Sequence, residues 1–216
     1  MDTDEVQSEM EKLLLKYKFA KEVLETDLNI LLKEYELTNG YNPVEHVKSR
    51  IKSSESAYKK LERKGYEVTP SNIVTHVHDM VGLRIVCSFL SDVSEIVNVI
   101  KKSKLFKIKE ERDYIKTPKE SGYISYHLNV LVPVNLIDST EYVEAEIQIR
   151  TVAMDFWASL DHKLRYKVNS KIPDDIIQEV YDCSNVIKDL DCKMERIHTK
   201  INKIKWGDFK WKKKKF

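Results

Sequence analysis

The chain has 216 residues, 42% hydrophobic and 33% charged, with 37 Lys and Arg against 35 Asp and Glu. That length and balance fit an ordinary globular protein with room for one good core, and exclude a disordered or fibrous chain. A net charge of +2 argues against a protein that holds nucleic acid by bulk charge, leaving local basic patches to be sought along the chain.

Residues 4 to about 37 carry Leu13, Leu14, Tyr17, Ala20, Leu24, Leu28, Leu31, Leu32 and Tyr35 at three- and four-residue spacing. The stripe predicts one long helix or two joined ones, stopped at Thr38-Asn39-Gly40 and packed on the domain or on a second subunit. Between Tyr41 and Ser53 a short strand puts Val47, Ser49 and Ile51 on one side and Lys48, Arg50 and Lys52 on the other. Its basic face reads either as an anion site or as a solvated strand edge. A short helix follows, capped by Ser53 or Ser54 and ended by Gly65, with Ser56, Lys60, Arg63 and Lys64 on one face and Ala57 and Leu61 on another. Such a face can grip phosphates or simply face solvent. Pro70 to Thr75 reads as a connector.

His76-Val77-His78-Asp79 then leads into an alternating strand. Leu83, Ile85, Cys87 and Phe89 take one side, and Gly82, Arg84, Val86 and Ser88 the other. The two histidines beside Asp79 invite a metal reading, but zinc wants three or four such ligands and the remaining histidines are scattered, so an oxygen-ligated magnesium at Asp79 is the better chemistry. Ser91 to Ser103 predicts an amphipathic helix capped by Ser91 or Asp92, burying Val93, Ile96, Val97 and Ile100. Strands are expected over Leu105 to Ile115 and Tyr123 to Val134, joined by the polar loop Lys116 to Gly122. In the second of them Tyr123, Ser125, His127 and Asn129 share a face. Tyr123, beside a lysine-bearing loop, can stack on a nucleobase, a contact worth about 1–3 kcal/mol, or serve as a plain cross-strand aromatic.

Tyr142 to Thr151 is the second clear alternation: Val143, Ala145, Ile147 and Ile149 against Glu144, Glu146, Gln148 and Arg150. If this strand neighbours the one at 82–89, Asp79 and Glu146 meet over the polar face. Two carboxylates among Arg and Lys are what magnesium-dependent phosphoryl transfer needs. A one-sided antiparallel sheet would show the same alternation with no site. Beyond Arg150, Ala153, Phe156, Trp157, Leu160 and Leu164 form a helical stripe, with His162, Lys163, Arg165 and Lys167 near its end. A last helix is expected from Asp174 to about Ile204, striped by Ile176, Ile177, Val180, Val186, Leu190, Met194 and Ile197. Its tail carries Trp206, Trp211 and the run Lys212 to Lys215, read as frayed and solvated, or else as a contact for RNA or an acidic partner.

Cys87, Cys183 and Cys192 are an odd set without CxxC spacing, expected as reduced thiols and not as a disulfide frame or zinc site. No leader pattern opens the chain, and no apolar run approaches membrane-spanning length. A cytoplasmic protein without a membrane segment is the expectation.

Six blocks in order and register carry a resemblance: Arg50-Ile51-Lys52-Ser53; His78-Asp79-Met80-Val81-Gly82-Leu83-Arg84; Arg112-Asp113-Tyr114-Ile115; Gly122-Tyr123-Ile124-Ser125-Tyr126-His127; Glu146-Ile147-Gln148-Ile149-Arg150-Thr151; and Trp157-Ala158-Ser159-Leu160-Asp161-His162-Lys163. From about residue 44 to 167 the chain resembles the RelA/SpoT alarmone synthetases, in the size of a small stand-alone member without hydrolase or regulatory domains. The resemblance implies an α+β fold: a nucleotidyltransferase-like mixed β-sheet flanked by helices, in one synthetase domain over residues 1–216. The flanks, 1–40 and 174–205, resemble helices with which small synthetases form homotetramers.

It also implies transfer of the β,γ-pyrophosphate of ATP to the 3′-hydroxyl of GDP or GTP. Asp79 and Glu146 would hold Mg²⁺, and Glu146 would also sit near the 3′-hydroxyl. Arg50 and Arg84 would sandwich adenine, a contact worth about 0.5–2 kcal/mol. Lys52, Ser56, Lys60 and Arg63 would grip the ATP phosphates. Tyr123 would stack on guanine, and Arg112 and Lys119 would meet the acceptor phosphates. His127, Gln148 and His162 match further acceptor-side positions. Ser121 stands where many relatives have Asn, and Asp161 where Glu is frequent. The rival readings are the same fold acting on an adenine nucleotide or a tRNA 3′ end, and an inactive RNA-binding scaffold.

Overall fold

The computed structural model describes residues 3–166 and 172–212. Its elements are α1 (Thr3–Asn39), β1 (Val44–Ile51), α2 (Ser54–Arg63), α3 (Pro70–His76), β2 (Val81–Cys87), α4 (Leu90–Lys102), β3 (Lys107–Asp113), β4 (Tyr126–Asn135), β5 (Thr140–Thr151), α5 (Val152–Tyr166) and α6 (Asp174–Lys212). The strands form one sheet in the order β1-β2-β5-β4-β3. Only β2 and β5 run parallel; the other three pairings are antiparallel. This is the mixed-sheet α+β fold expected.

The alternation of β2 and β5 sorts the two faces. Leu83, Ile85, Ile147, Ile149 and Leu128 are buried together under α1 and α4. α1 is one helix, and it lies on the sheet through Tyr17, Ala20, Leu24 and Leu28, the centre of the predicted stripe. Gly40 ends it in the left-handed region at φ 65°. α4 adds Val93, Ile96 and Ile100 to the same core.

Several boundaries differ from the sequence reading. The connector after Pro70 is the helix α3, because the Thr69 hydroxyl accepts from the Asn72 amide at 3.2 Å and Pro70 opens the first turn. The N-cap of α4 is Phe89, whose amide donates to the Asp92 carboxylate at 3.0 Å; Asp92 therefore caps from inside the helix. β4 begins at Tyr126, so Tyr123 precedes the strand. α5 buries Met154, Trp157 and Ala158, while Phe156, Leu160 and Leu164 of the expected stripe face outward. α6 continues past Ile204 to Lys212, and its apolar positions Ile176, Val186, Leu190, Met194 and Ile197 are exposed. Lys167 and the lysines beyond Lys212, part of the run read as a contact for RNA, lie outside the described residues. Among the described residues no helix is long and apolar enough to cross a membrane.

The packing predicts a clear contrast in stability. Leu24→Ala, at a fully buried position under the sheet, lowers the free energy of unfolding by about 2–5 kcal/mol. Ile137→Ala, in the exposed β4–β5 turn, changes it by less than about 0.5 kcal/mol. Denaturant titration of both variants checks this.

Candidate active site

The register of the sheet assembles the site. Gly82 of β2 pairs with Arg50 of β1 on one side and Glu146 of β5 on the other. Two residues along, Arg84 pairs with Lys48 and with Gln148, and Gln148 in turn pairs with His127 of β4. Two ranks of polar side chains therefore cross the face opposite α1. Asp79 sits in the turn between α3 and β2, just before the first rank. A cleft of about 210 Å³ is lined by Lys48, Arg50, Asp79, Arg84, Glu146 and Gln148. A wider cleft of about 660 Å³ shares Arg50, Arg84 and Gln148, and adds Tyr123, Arg150, His162 and Lys163.

Two lysines clamp Asp79. Lys52, just beyond β1, reaches one carboxylate oxygen at 2.9 Å, and Lys60 of α2 reaches the other at 2.8 Å. α2 is placed by Ser53, whose hydroxyl accepts from the Ser56 amide at 3.3 Å. Burial by itself raises the Asp79 carboxyl; the hydrogen bonds and charge of Lys60 and Lys52 outweigh it and bring the pKa down to about 2. Ser56 stands at the exposed start of α2, with its hydroxyl 2.8 Å from that of Ser53. Arg63, in the last turn of α2, is exposed and lines neither cleft.

Glu146 has a different shell. Gln148 Nε2 donates to one oxygen at 2.5 Å, and His127 Nδ1 lies 3.1 Å from the other. His127 Nε2 lies 2.8 Å from the Tyr123 hydroxyl, which receives Arg150 Nη2 at 2.5 Å. Arg150 Nη2 also donates to Gln148 Oε1 at 2.6 Å, closing a ring of five side chains. Arg150 is a source of donors in this ring and Glu146 an acceptor, with His127 Nδ1 donating to its carboxylate. Burial raises the Glu146 carboxyl, but the hydrogen bond and charge of His127 with the Gln148 bond hold it below the usual value, while nearby Asp79 pushes the other way. Asp155 of α5 joins the site by pairing with Arg84 at 2.9 Å and Arg150 at 3.2 Å.

The remaining expected residues are placed unevenly. Lys119 holds its ammonium 4.5 Å from the Tyr114 ring and 5.0 Å from the Tyr123 ring, within cation–π reach. His162 lies on α5 in the wider cleft with Tyr123. Arg112 stands apart from both clefts, in a two-pronged bond to Glu110 of its own strand at 2.8 and 2.7 Å. His76 stacks on Tyr66, and His78 lies 3.0 Å from Glu144, so the histidines flanking Val77 do not converge with Asp79. No group of three or more metal-ligating residues occurs among the described residues. Arg150, Asp155 and Tyr114 were not singled out from the sequence as site residues. Arg150 was legible as part of the polar alternation; Asp155 gives no such signal.

Two carboxylates facing one cleft offer the hard oxygen donors that Mg²⁺ takes, and that ion commonly completes its shell with substrate phosphates and water. The donor set fits such an ion bound together with a polyphosphate.

Comparison with known proteins bears on this site. The region found in RelA and SpoT proteins matches residues 49–171. The GTP pyrophosphokinase YwaC of Bacillus subtilis is 47% identical over 201 residues, covering 93% of this chain and 96% of its own. The crystal structure of small alarmone synthetase 2 from Bacillus subtilis superposes with a TM-score of 0.79 at 48% identity, over 88% of this chain and 98% of that one. Small alarmone synthetase 1 from the same organism, bound to its product pppGpp, gives 0.82 at 35% identity, over 89% and 97%.

The lysine clamp has a pH signature. A carboxyl held at about 2 when folded, against an ordinary value near 4, adds stability that is complete above pH 4 and is lost as pH falls toward 2. In metal-free buffer the melting temperature of the wild type falls through that window. Asp79→Asn, which cannot titrate, shows a flatter dependence there.

Proposed function

The chain belongs to the RelA/SpoT family, and from that premise we propose that it is a (p)ppGpp synthetase, a GTP pyrophosphokinase. It moves the β,γ-pyrophosphate of ATP to the 3′-hydroxyl of GDP or GTP, releasing AMP. The observation that carries the reading is the pair Asp79 and Glu146 in one cleft, with Arg50 and Arg84 beside them and two lysines on Asp79.

The geometry supports a division of labour. The adenine enters between Arg50 and Arg84, whose flat guanidinium groups stack on a base. The ATP phosphates draw Lys52 and Lys60 from Asp79, exchanging one anion for another at short range. Ser56 adds the N-terminal turn of α2, and Arg63 the far end of the same face. The guanine nucleotide takes the wider cleft, its base against Tyr123 and its phosphates toward Lys119 and His162; Arg112 reaches it only by leaving Glu110. Glu146 stays ionised and accepts the 3′-hydroxyl proton as that oxygen attacks the β-phosphorus, while His127 and Gln148 hold its carboxylate in place. Asp79 and Glu146 would hold Mg²⁺, which when bound neutralises charge between the transferring phosphates.

Further features complete the reading. The exposed apolar positions of the helical flanks, among them Ile30 and Leu37 of α1 and Val186 and Leu190 of α6, support a homo-oligomer; a tetramer is what the resemblance of those flanks implies. A cytoplasmic setting suits nucleotide substrates and a chain whose cysteines are free.

Purified protein with labelled ATP, Mg²⁺ and, separately, GDP, GTP, GMP, ADP and bulk tRNA tests the function. Product on the guanine nucleotides is expected, and transfer only to ADP or tRNA overturns the acceptor. Glu146→Gln is expected to lower kcat by about 100-fold or more while calorimetry finds ATP binding within about threefold of wild type. Asp79→Gly abolishes synthesis while light scattering finds assembly unchanged; full activity in it would sink the assignment.

A further inference from the structure

The loop between β3 and β4 presents Tyr123 and Lys119 to the acceptor. Its base is tied down, because the Asp113 carboxylate accepts from the Ile115 and Lys116 amides at 3.0 and 2.9 Å, and at its other end His127 and Arg150 hold the Tyr123 hydroxyl; the stretch between, residues 118–122, is held more sparely. Gly122 donates to the Lys119 carbonyl at 2.8 Å, Lys119 donates to the Tyr123 carbonyl at 3.2 Å, and residues 116–120 are exposed. A further fastening, from outside the loop, comes from α6. Ser184 is 3% exposed on a helix whose neighbouring positions are mostly open to solvent, and its hydroxyl donates to the Gly122 carbonyl. The contact is close. Gly122 has φ +85°, and a Cβ there would stand 2.8 Å from Ser184 Cβ and 3.3 Å from the Tyr181 ring. Glycine is required twice over, by its left-handed backbone and by the helix behind it.

α6 is anchored elsewhere without help from Ser184. Thr151 donates to Asp191 at 2.6 Å, Glu195 accepts from the Ser91 amide at 2.9 Å, and the Trp157 indole donates to the Val180 carbonyl at 3.1 Å. The helix is therefore a fixed wall, and the loop is what leans on it. One peptide bond separates the supported carbonyl from Tyr123.

We infer that α6 is the backstop of the acceptor loop and that Ser184 is a positioning residue for guanine-nucleotide binding. The inference rests on the synthetase reading. Ser184 touches no substrate; it holds Gly122, and through it the placement of Tyr123 and Lys119. Affinity for the acceptor is thus set partly by a helix on the far side of the loop, whereas the ATP side, built on β1, β2 and α2, has no contact with Ser184.

Steady-state kinetics of Ser184→Ala tests this. The expected result is a KM for GDP or GTP raised about three- to tenfold, with the KM for ATP within twofold of wild type. Hydrogen exchange at residues 117–123 should quicken while exchange in β2 and β5 does not. Tyr181→Leu, at a half-open side chain on the same contact, should shift the same two readouts less, and it serves if Ser184→Ala folds poorly. Unchanged acceptor KM and unchanged loop exchange in both variants overturn the inference alone, because wild-type synthesis stands beside them. Equal rises in both KM values with a lowered melting temperature also overturn it, since they mark a merely structural residue. A wild type that transfers nothing fails the synthetase reading first and takes this inference with it.

Discussion

The parallel pairing of β2 with β5 is the constraint on which the rest depends. Parallel neighbours cannot be joined by a tight turn. Here α4, β3 and β4 fill the connection, so the chain leaves β2, covers the core, lays down two strands and returns. The return sets Gly82 beside Glu146 and Arg84 beside Gln148. A slip of one residue would drive Arg84, Glu146 and Gln148 into the layer of Leu83, Ile85 and Ile147 under α1. Core and site thus enforce the same register from opposite faces of one strand pair.

On that frame the carboxylates are differentiated by their neighbours. Asp79 has two ammonium partners, and Asp155 two guanidinium partners. Among the described residues, Glu146 is fastened by His127 and the Gln148 amide. A carboxylate buried against full positive charges is a poor proton acceptor. One held by weaker donors keeps lone pairs to offer and is not masked by a fixed cation. The two carboxylates of one cleft therefore differ in surroundings, a difference that suits the proposed roles of Asp79 in exchange with anions and of Glu146 in proton transfer.

Much of this was legible in the sequence, for identifiable reasons. The alternation of β2 and β5 is strict where one face is core and the other site, so both strands and the pair Asp79 and Glu146 could be read directly. The α1 stripe was read because Tyr17, Ala20, Leu24 and Leu28 keep helical spacing over a long run. Helical periodicity reveals an apolar face and not what covers it, which is why Phe156, Leu160 and Leu164 could be placed on a stripe and still prove exposed. α3 was missed because its Pro70 serves as a first-turn residue behind the Thr69 cap. Asp155 and Ser184 could not be read at all: Asp155 meets Arg84 across the fold as well as nearby Arg150, Ser184 meets Gly122 across the fold, and neither sits in a pattern.

The closed ring of Glu146, His127, Tyr123, Arg150 and Gln148 bears on how this site can drift. Each member bonds to two others, so a single replacement strands two partners inside a largely buried patch. A second replacement among the same five then finds part of the damage already done. Losses within the ring add to less than their sum, and a change at one position is tolerated best when its neighbour changes with it. Selection meets these five side chains as one inherited unit, whose members cross a fitness valley together or stay as they are.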